Sequence, residues 1–410
     1  IGNTPKALVK FKKKENLKKQ IELLKKYGVK NFLFLVNHFE KEITYFLKKN
    51  FKEKFIIKKD KNYFGTGGCL YNSRKALKKE FLIVYSDLYM NFNFNNFIKE
   101  SKKTKSVFSC VVHANDHPHD SDTVMLDKNY LIKKIYKKNS GDFKINNALG
   151  GVYFAKKKFL NNFDFKKNKS YDLVNNFIPE LIKKGKPVYA YKTIEYMKDF
   201  GTPKRLIKVK KDLKSNKIKN LNFSSKTKAV FLDRDGVINK ENKKKKNLKN
   251  FRILPYVAEA IKKLNINKIP CFIISNQGGL AKGDINFSEL LKIICHLDYH
   301  LSKKQAYIDD FLICPHFGNK KYKKIDFNFF SKYRKPNPGM LVELAQKYRI
   351  NLKKSFMIGD TDIDILTGKR KNLKTILVKS LKFKDYRLKV KPDFKKNSLY
   401  DAVKLILKNK

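Results

Sequence analysis

The strongest constraint on the fold is a series of short apolar runs that stop abruptly at turns and are separated by helical patterning. In the second half they are Ala229–Asp233 (AVFLD), Cys271–Ser275 (CFIIS), Ser355–Gly359 (SFMIG) and Lys374–Val378 (KTILV). Runs apolar throughout, rather than alternating, are what a strand buried on both faces requires. Helical stretches near 256–264 and over 288–301 lie between them. This pattern predicts a doubly wound α/β sheet. The first half shows the same alternation, with apolar runs at Asn31–Asn37, Phe55–Ile57, Phe81–Tyr85, Val107–Val112, Gly151–Phe154 and Val188–Tyr191 and helices over 15–27 and 38–50. No repeat relates the halves, so two unlike α/β domains are expected. The expected boundaries are a domain over 1–207, a Lys-rich linker over 208–228, a second domain over 229–380 and a C-terminal extension, 381–410, packing on it.

Chemistry is expected at the carboxyl ends of such strands. The run ending at Leu232 delivers Asp233 and Asp235 there. Two carboxylates so placed can divide labour, one attacking phosphorus and the other moving a proton. Alone, the pair would read as a solvated acidic turn. Three later features argue otherwise: Ser275-Asn276-Gln277 after the next strand, the cations of Arg334-Lys335-Pro336, and Gly359-Asp360 with Asp364 four residues on. They offer a hydroxyl, charge for a phosphate, and hard oxygen ligands for Mg²⁺. In the first half, Thr4-Pro5-Lys6-Ala7-Leu8 opens the chain and Gly65-Thr66-Gly67-Gly68 offers backbone amides to a nucleotide or sugar. Asp87 and Asp199, each at a strand end, form a candidate pair of Mg²⁺ ligands.

From Ala229 to Val378 these motifs resemble the haloacid dehalogenase-like phosphatases. The resemblance implies a Rossmann-like phosphatase domain without a large cap. It implies Asp233 as nucleophile, Asp235 as acid and then base, Ser275 and Asn276 on the phosphoryl group, and Lys335 neutralising it. Arg334 would touch substrate, Asp233, Asp235 and Asp360 would hold Mg²⁺, and Asp364 would support the metal from behind. DRDGVIN, ISNQGGLAKG, CPH at 314–316 and RKPNPGM resemble the branch acting on histidinol phosphate and D,D-heptose 1,7-bisphosphate. That branch often carries a structural zinc on Cys-x-His and Cys-x-Cys. Here Cys314 and His316 are present, but Ser331 and Tyr333 stand at the other positions, so no bound zinc is expected. His296 and His300 lack a third ligand and read as surface residues.

Over about residues 1–205, TPKAL, GTGG, Asp87, NALGGVYF and DFGTP resemble the sugar-phosphate nucleotidyltransferases, implying a mixed sheet. By that resemblance Asp87 and Asp199 hold Mg²⁺, Lys6 and Lys138 offset phosphate charge, and Gly67 and Gly68 contact substrate. His117-Pro118-His119-Asp120-Ser121-Asp122 resembles a variant seen in heptose 1-phosphate guanylyltransferases. The family's glycine-rich phosphate loop would precede Thr4, and the sequence opens at Ile1. The expectation is a domain lacking that loop, in a fragment or in a half that has lost activity.

Together the halves suggest consecutive steps: removal of the 7-phosphate of D-glycero-D-manno-heptose 1,7-bisphosphate, then nucleotidyl transfer from an NTP, GTP favoured, to the 1-phosphate. The alternatives are a histidinol-phosphate-type phosphatase joined to another or an inactive transferase, and a basic nucleic-acid-binding scaffold with decayed sites. The net charge of +57 invites the last. Of the 94 basic residues, however, only eight are Arg, and the Lys are spread over every helix face rather than gathered in a patch. The expected partners are therefore sugar phosphates and NTP, with no nucleic acid and no membrane. No apolar run reaches membrane-spanning length, and the five cysteines are scattered. The expected setting is cytoplasmic.

Overall fold

The computed structural model describes all residues except 1–3, 61–63, 142–144, 167–168, 216, 241–247, 318–330, 380–389 and 409–410. The chain divides into two compact units. One comprises Ile1–His113, Ser121–Ser140 and Asn147–Asn222; the other comprises Ala114–Asp120, Gly141–Asn146 and Phe223–Lys410.

The second unit is a parallel six-stranded sheet. Its spatial order is Asp310–Cys314, Cys271–Asn276, Val230–Leu232, Phe356–Gly359, Lys374–Val378 and Phe394–Lys396. In chain order that is 3-2-1-4-5-6, the doubly wound arrangement. Alternate residues serve opposite faces. Val230, Leu232, Ile273 and Ile358 join a core closed by the helices Val257–Ile266, Phe287–Lys303 and Leu399–Lys408. On the other face Phe231 packs at a tilt against Phe272, which stacks on the buried Tyr348. The long helix starts where Asn286 and Glu289 form a capping box, satisfying donors that would otherwise face water. The four strands read from sequence in this half are all present. Two more frame them: Asp310–Cys314, and Phe394–Lys396 within the expected C-terminal extension.

The first unit holds a mixed sheet centred on Ala148–Lys156. This strand pairs antiparallel with Glu80–Val84, Phe108–His113 and, at Ala148, Thr123, and Val188–Lys192 runs parallel to Phe108–His113. A separate antiparallel pair joins Leu88–Asn91 to Tyr196–Asp199. The expected linker is corrected in its first part. Pro203–Lys214 is a helix whose Val209 is fully buried with Phe11 and Phe200, and Ile218 and Leu221 pack on Tyr196. These residues complete the first unit. No helix among the described residues is long and apolar enough to cross a membrane.

Candidate active sites

Val230–Leu232 and Phe356–Gly359 are neighbours at the point where the strand order reverses, which opens a crevice at their carboxyl ends. Asp233 and Asp360 follow these two strands. The Asp233 amide donates to the Ile358 carbonyl (2.9 Å), anchoring the nucleophile candidate to the sheet. Its Oδ1 accepts from the Arg234 amide (2.7 Å) and forms an ion pair with Lys335 Nζ (2.8 Å). Lys335, 2% exposed, also reaches Asp364 Oδ1 at 2.6 Å. Asp364 Oδ2 accepts from the amide and hydroxyl of Thr361 (3.2 and 2.7 Å), capping the helix Asp362–Lys369. A buried ion cluster of this kind loses about 3–5 kcal/mol if one partner is removed.

Burial pushes the Asp233 carboxyl up to about 6; Lys335 opposes the rise and Asp364 adds to it. Burial alone would lower Lys335, but Asp233 and Asp364 outweigh it and hold the ammonium above its ordinary range.

The Asn276 side chain braces Lys335. Its Nδ2 donates to the Lys335 carbonyl and its Oδ1 accepts from the Lys335 amide, both at 3.0 Å. Ser275 is buried, and its Oγ accepts from Gln277 Nε2 (2.8 Å). Asp235 accepts from Arg234, Gln277 and Asn239. These three residues lie inside DRDGVIN and Ser275-Asn276-Gln277, motifs that by spacing alone assign them no role. The available signal was the odd placement of a cation between two carboxylates.

Asp233, Asp360 and Asp364 each offer an oxygen, all within 4.8 Å of one another, a hard donor set that fits Mg²⁺. Gly236 explains how they come so close. Its φ is +87°, and a Cβ there would stand 2.0 Å from Asp360 Oδ2. Both Asp364 oxygens are already bonded, one to Lys335 and one to Thr361.

Arg334 donates to the His316 carbonyl and lies over the Phe317 ring (5.1 Å), which Lys282 faces at 3.9 Å. At the four zinc positions, Cys314 bonds Ser331 and Tyr333 bonds Glu343. Two hydroxyls in place of two thiolates do not fit zinc.

In the first unit, register pairs Asp199 with Leu88, and the Phe200 amide donates to the Asp87 carbonyl (3.0 Å). Asp87 and Asp199 therefore lie side by side. A Cβ on Gly201 would be 3.5 Å from Asp87 Oδ2, 3.5 Å from Lys6 Nζ and 3.7 Å from Asp199 Oδ1, so all three groups converge on it. Lys6 Nζ is 4.0 Å from Asp87, and Arg205 pairs with Asp199. Sequence reading missed Arg205. It sits in the first turn of the helix capped by Thr202, a place that only the fold turns toward Asp199. Burial raises the Asp87 carboxyl; Lys6 opposes this and Asp199 adds to it. Two adjacent carboxylates suit Mg²⁺.

Two expectations do not hold here, those for Gly67 and Gly68. The Gly67 and Gly68 amides already donate to the Tyr171 carbonyl (2.8 and 3.1 Å), and a Cβ at Gly67 would strike the Phe177 ring at 2.4 Å. These glycines allow close packing rather than present free amides. Lys138 is exposed on a turn whose amide donates to Asp122 (2.9 Å), and among the described residues it pairs with neither Asp87 nor Asp199.

The nucleotidyl transferase family matches residues 2–216, and the HAD-hydrolase-like family matches 332–402. The D-glycero-beta-D-manno-heptose-1,7-bisphosphate 7-phosphatase of Rhodopseudomonas palustris is 34% identical over 141 residues, covering 34% of this chain and 77% of the relative. The enzyme of that name from Pasteurella multocida is 31% identical over 180 residues, 44% of this chain and 96% of the relative. Among solved structures, HddC from Yersinia pseudotuberculosis complexed with GMP-PN is 21% identical, with a TM-score of 0.45, covering 52% of this chain and 91% of that one.

Proposed function

We propose a two-step role for this chain, which belongs to the nucleotidyl transferase family through its first half and to the D-glycero-D-manno-heptose-1,7-bisphosphate 7-phosphatase family through its second. The phosphatase half removes the 7-phosphate of the bisphosphate. The other half then joins the 1-phosphate product to a nucleotide, GTP favoured.

The observation carrying the first step is the Lys335 ammonium held 2.8 Å from Asp233. With Oδ1 fixed by Lys335 and the Arg234 amide, Oδ2 is available to attack phosphorus. The Asp233–phosphorus bond forms as the bond to the sugar oxygen breaks, and the Asp235 proton passes to that oxygen. Asp235 then takes a proton from water attacking the aspartyl-phosphate, which releases phosphate and restores Asp233. Ser275 and Lys335 hold the phosphoryl oxygens, and Arg334 faces the rest of the substrate. Mg²⁺ bound by Asp233, Asp360 and the Asp235 carbonyl would supply charge neutralisation.

In the first half a sugar 1-phosphate oxygen attacks the α-phosphorus of the NTP and pyrophosphate leaves. Asp87 and Asp199 would hold Mg²⁺, while Lys6 offsets phosphate charge. The partners are sugar phosphates and NTP.

The test adds heptose 1,7-bisphosphate, Mg²⁺ and each NTP in turn to the protein, and follows phosphate, pyrophosphate and nucleotide-sugar. Release of one phosphate, abolished by Asp233→Asn, followed by a GDP-heptose, is expected. A kcat/KM preference for histidinol phosphate, or no pyrophosphate with any NTP, overturns the corresponding half.

A further inference from the structure

We propose that Arg234 is a positioning residue for Asp235, which its guanidinium orients and whose charge it stabilises as the proton leaves. The inference rests on the phosphatase reading above. Asp235 Oδ1 accepts from Arg234 Nε (3.3 Å), Arg234 Nη2 (2.9 Å) and Asn239 Nδ2 (2.9 Å). Its Oδ2 accepts from Arg234 Nη2 and Gln277 Nε2, both at 3.0 Å. Arg234 Nη2 also donates to Gln277 Oε1 (3.1 Å), so cation, amide and carboxylate form a closed triangle. The same Gln277 Nε2 reaches Ser275 Oγ at 2.8 Å, linking the proton carrier to the hydroxyl expected on the phosphoryl group.

Stability alone accounts poorly for this arginine. Arg234 is 3% exposed, and its Nη1, like Asn239 Oδ1, is buried with no hydrogen-bond partner among the described residues. A guanidinium taken out of water with a donor unmet is a costly strut, and a buried ion pair replaced as a whole by apolar side chains often leaves a fold no less stable. Chemistry supplies the missing reason. As the Asp233–phosphorus bond forms and the bond to the alkyl oxygen breaks, the Asp235 proton goes to that oxygen and a carboxylate is left behind. The charge appears beside a cation already in place, so no reorganisation is needed. In the second half that carboxylate takes a proton from water, and the charge disappears again.

The experiment uses the full chain with Mg²⁺ and measures kcat/KM, which reports steps through formation of the aspartyl-phosphate. Two substrates are compared: heptose 1,7-bisphosphate, whose alkoxide needs a proton, and p-nitrophenyl phosphate, whose phenolate leaves without one. Arg234→Met is expected to lose about 30-fold or more on the sugar phosphate and less than about threefold on the aryl ester. Arg234→Lys should recover part of the sugar-phosphate loss. Asn239→Leu, which removes another Asp235 donor without touching Ser275, should show the same selectivity in smaller measure, which keeps the test available if Arg234→Met fails to fold. Equal losses on both substrates, or none on either, overturn the positioning role while leaving the phosphatase reading intact. Wild-type protein that releases no Asp233-dependent phosphate from either substrate overturns both.

Discussion

Gly236→Ala tests the close approach of the Gly236 turn to Asp360, the carboxylate proposed above to hold Mg²⁺. Gly236 has φ +87°, and a Cβ there would lie 2.0 Å from Asp360 Oδ2, whereas real Cβ contacts essentially never fall below 3.0 Å. Asp360 would have to retreat by at least 1 Å, yet it is 5% exposed and follows a central strand. The backbone change costs about 1–2 kcal/mol for an L-residue in the left-handed region, and the forced shift adds about 1–3 kcal/mol of overpacking. A displacement near 1 Å at a metal ligand also costs about 100-fold in rate. The assay is phosphate release against Mg²⁺ concentration, with thermal unfolding in parallel. A fall in kcat/KM near 100-fold, with a higher Mg²⁺ concentration for half activation, is expected. Activity and Mg²⁺ dependence both within twofold of wild type would refute the claim that this contact sets the metal carboxylate.

Because burial raises Asp233 to about 6, protons should compete with the metal there, so the Mg²⁺ concentration for half activation rises as pH falls through about 6 and levels off above it. Titrations at pH 5 to 8 check this. Burial lowers Lys198 from 10.5 to about 8, partly offset by Asp212 and Asp199. Its folded pKa lies below the unfolded one, so its cost to stability is complete below about pH 8 and vanishes above about pH 10.5. Lys198→Met should therefore stabilise the first unit by about 1–2 kcal/mol at pH 7, discounted from a ceiling of about 3 for partial exposure, and by little at pH 10.5, as read by denaturant unfolding. Gly67→Ala should destabilise by about 1–3 kcal/mol through Phe177 without changing the NTP KM of the folded protein. A raised KM at unchanged stability would return Gly67 to the substrate site.

Asp233, Ser275, Lys335 and Asp360 were legible because three of them end or follow unbroken apolar runs and Lys335 stands in a cationic motif. Parallel-sheet topology then brings such strand ends together. Asp310–Cys314 was missed because its first residue is a carboxylate, which the fold buries by pairing it with Lys347 (2.9 Å) and the Tyr348 hydroxyl (2.6 Å). Phe394–Lys396 was missed because an edge strand with two lysines carries no apolar pattern. The glycines at 67 and 68 look alike in sequence whether they admit a ligand or a phenylalanine, and only packing distinguishes the two. The Asp235 triangle depends on Gln277, 42 residues away, a contact made by neighbouring strand ends and invisible to local spacing.

The charge of the chain and the charge of its phosphatase site have opposite signs. Over the whole sequence the balance is +57, but in the cluster of Asp233, Asp360 and Asp364 the cation paired among the described residues is Lys335, on Asp233 and Asp364, and Arg234 is neutralised by Asp235. With all groups ionised, the three-carboxylate cluster carries two net negative charges before any phosphate arrives. At short range and low dielectric this repulsion outweighs the distant lysines, whose field is screened over about 10 Å at 0.1 M salt. A phosphate dianion should therefore enter only with a divalent cation. Inorganic phosphate is expected to raise the unfolding temperature of the second unit with Mg²⁺ present and to leave it unchanged in EDTA. Phosphate stabilisation of equal size in EDTA, lost in Lys335→Met, would mean that the lysine alone overcomes the carboxylates and that the metal is not what admits the anion.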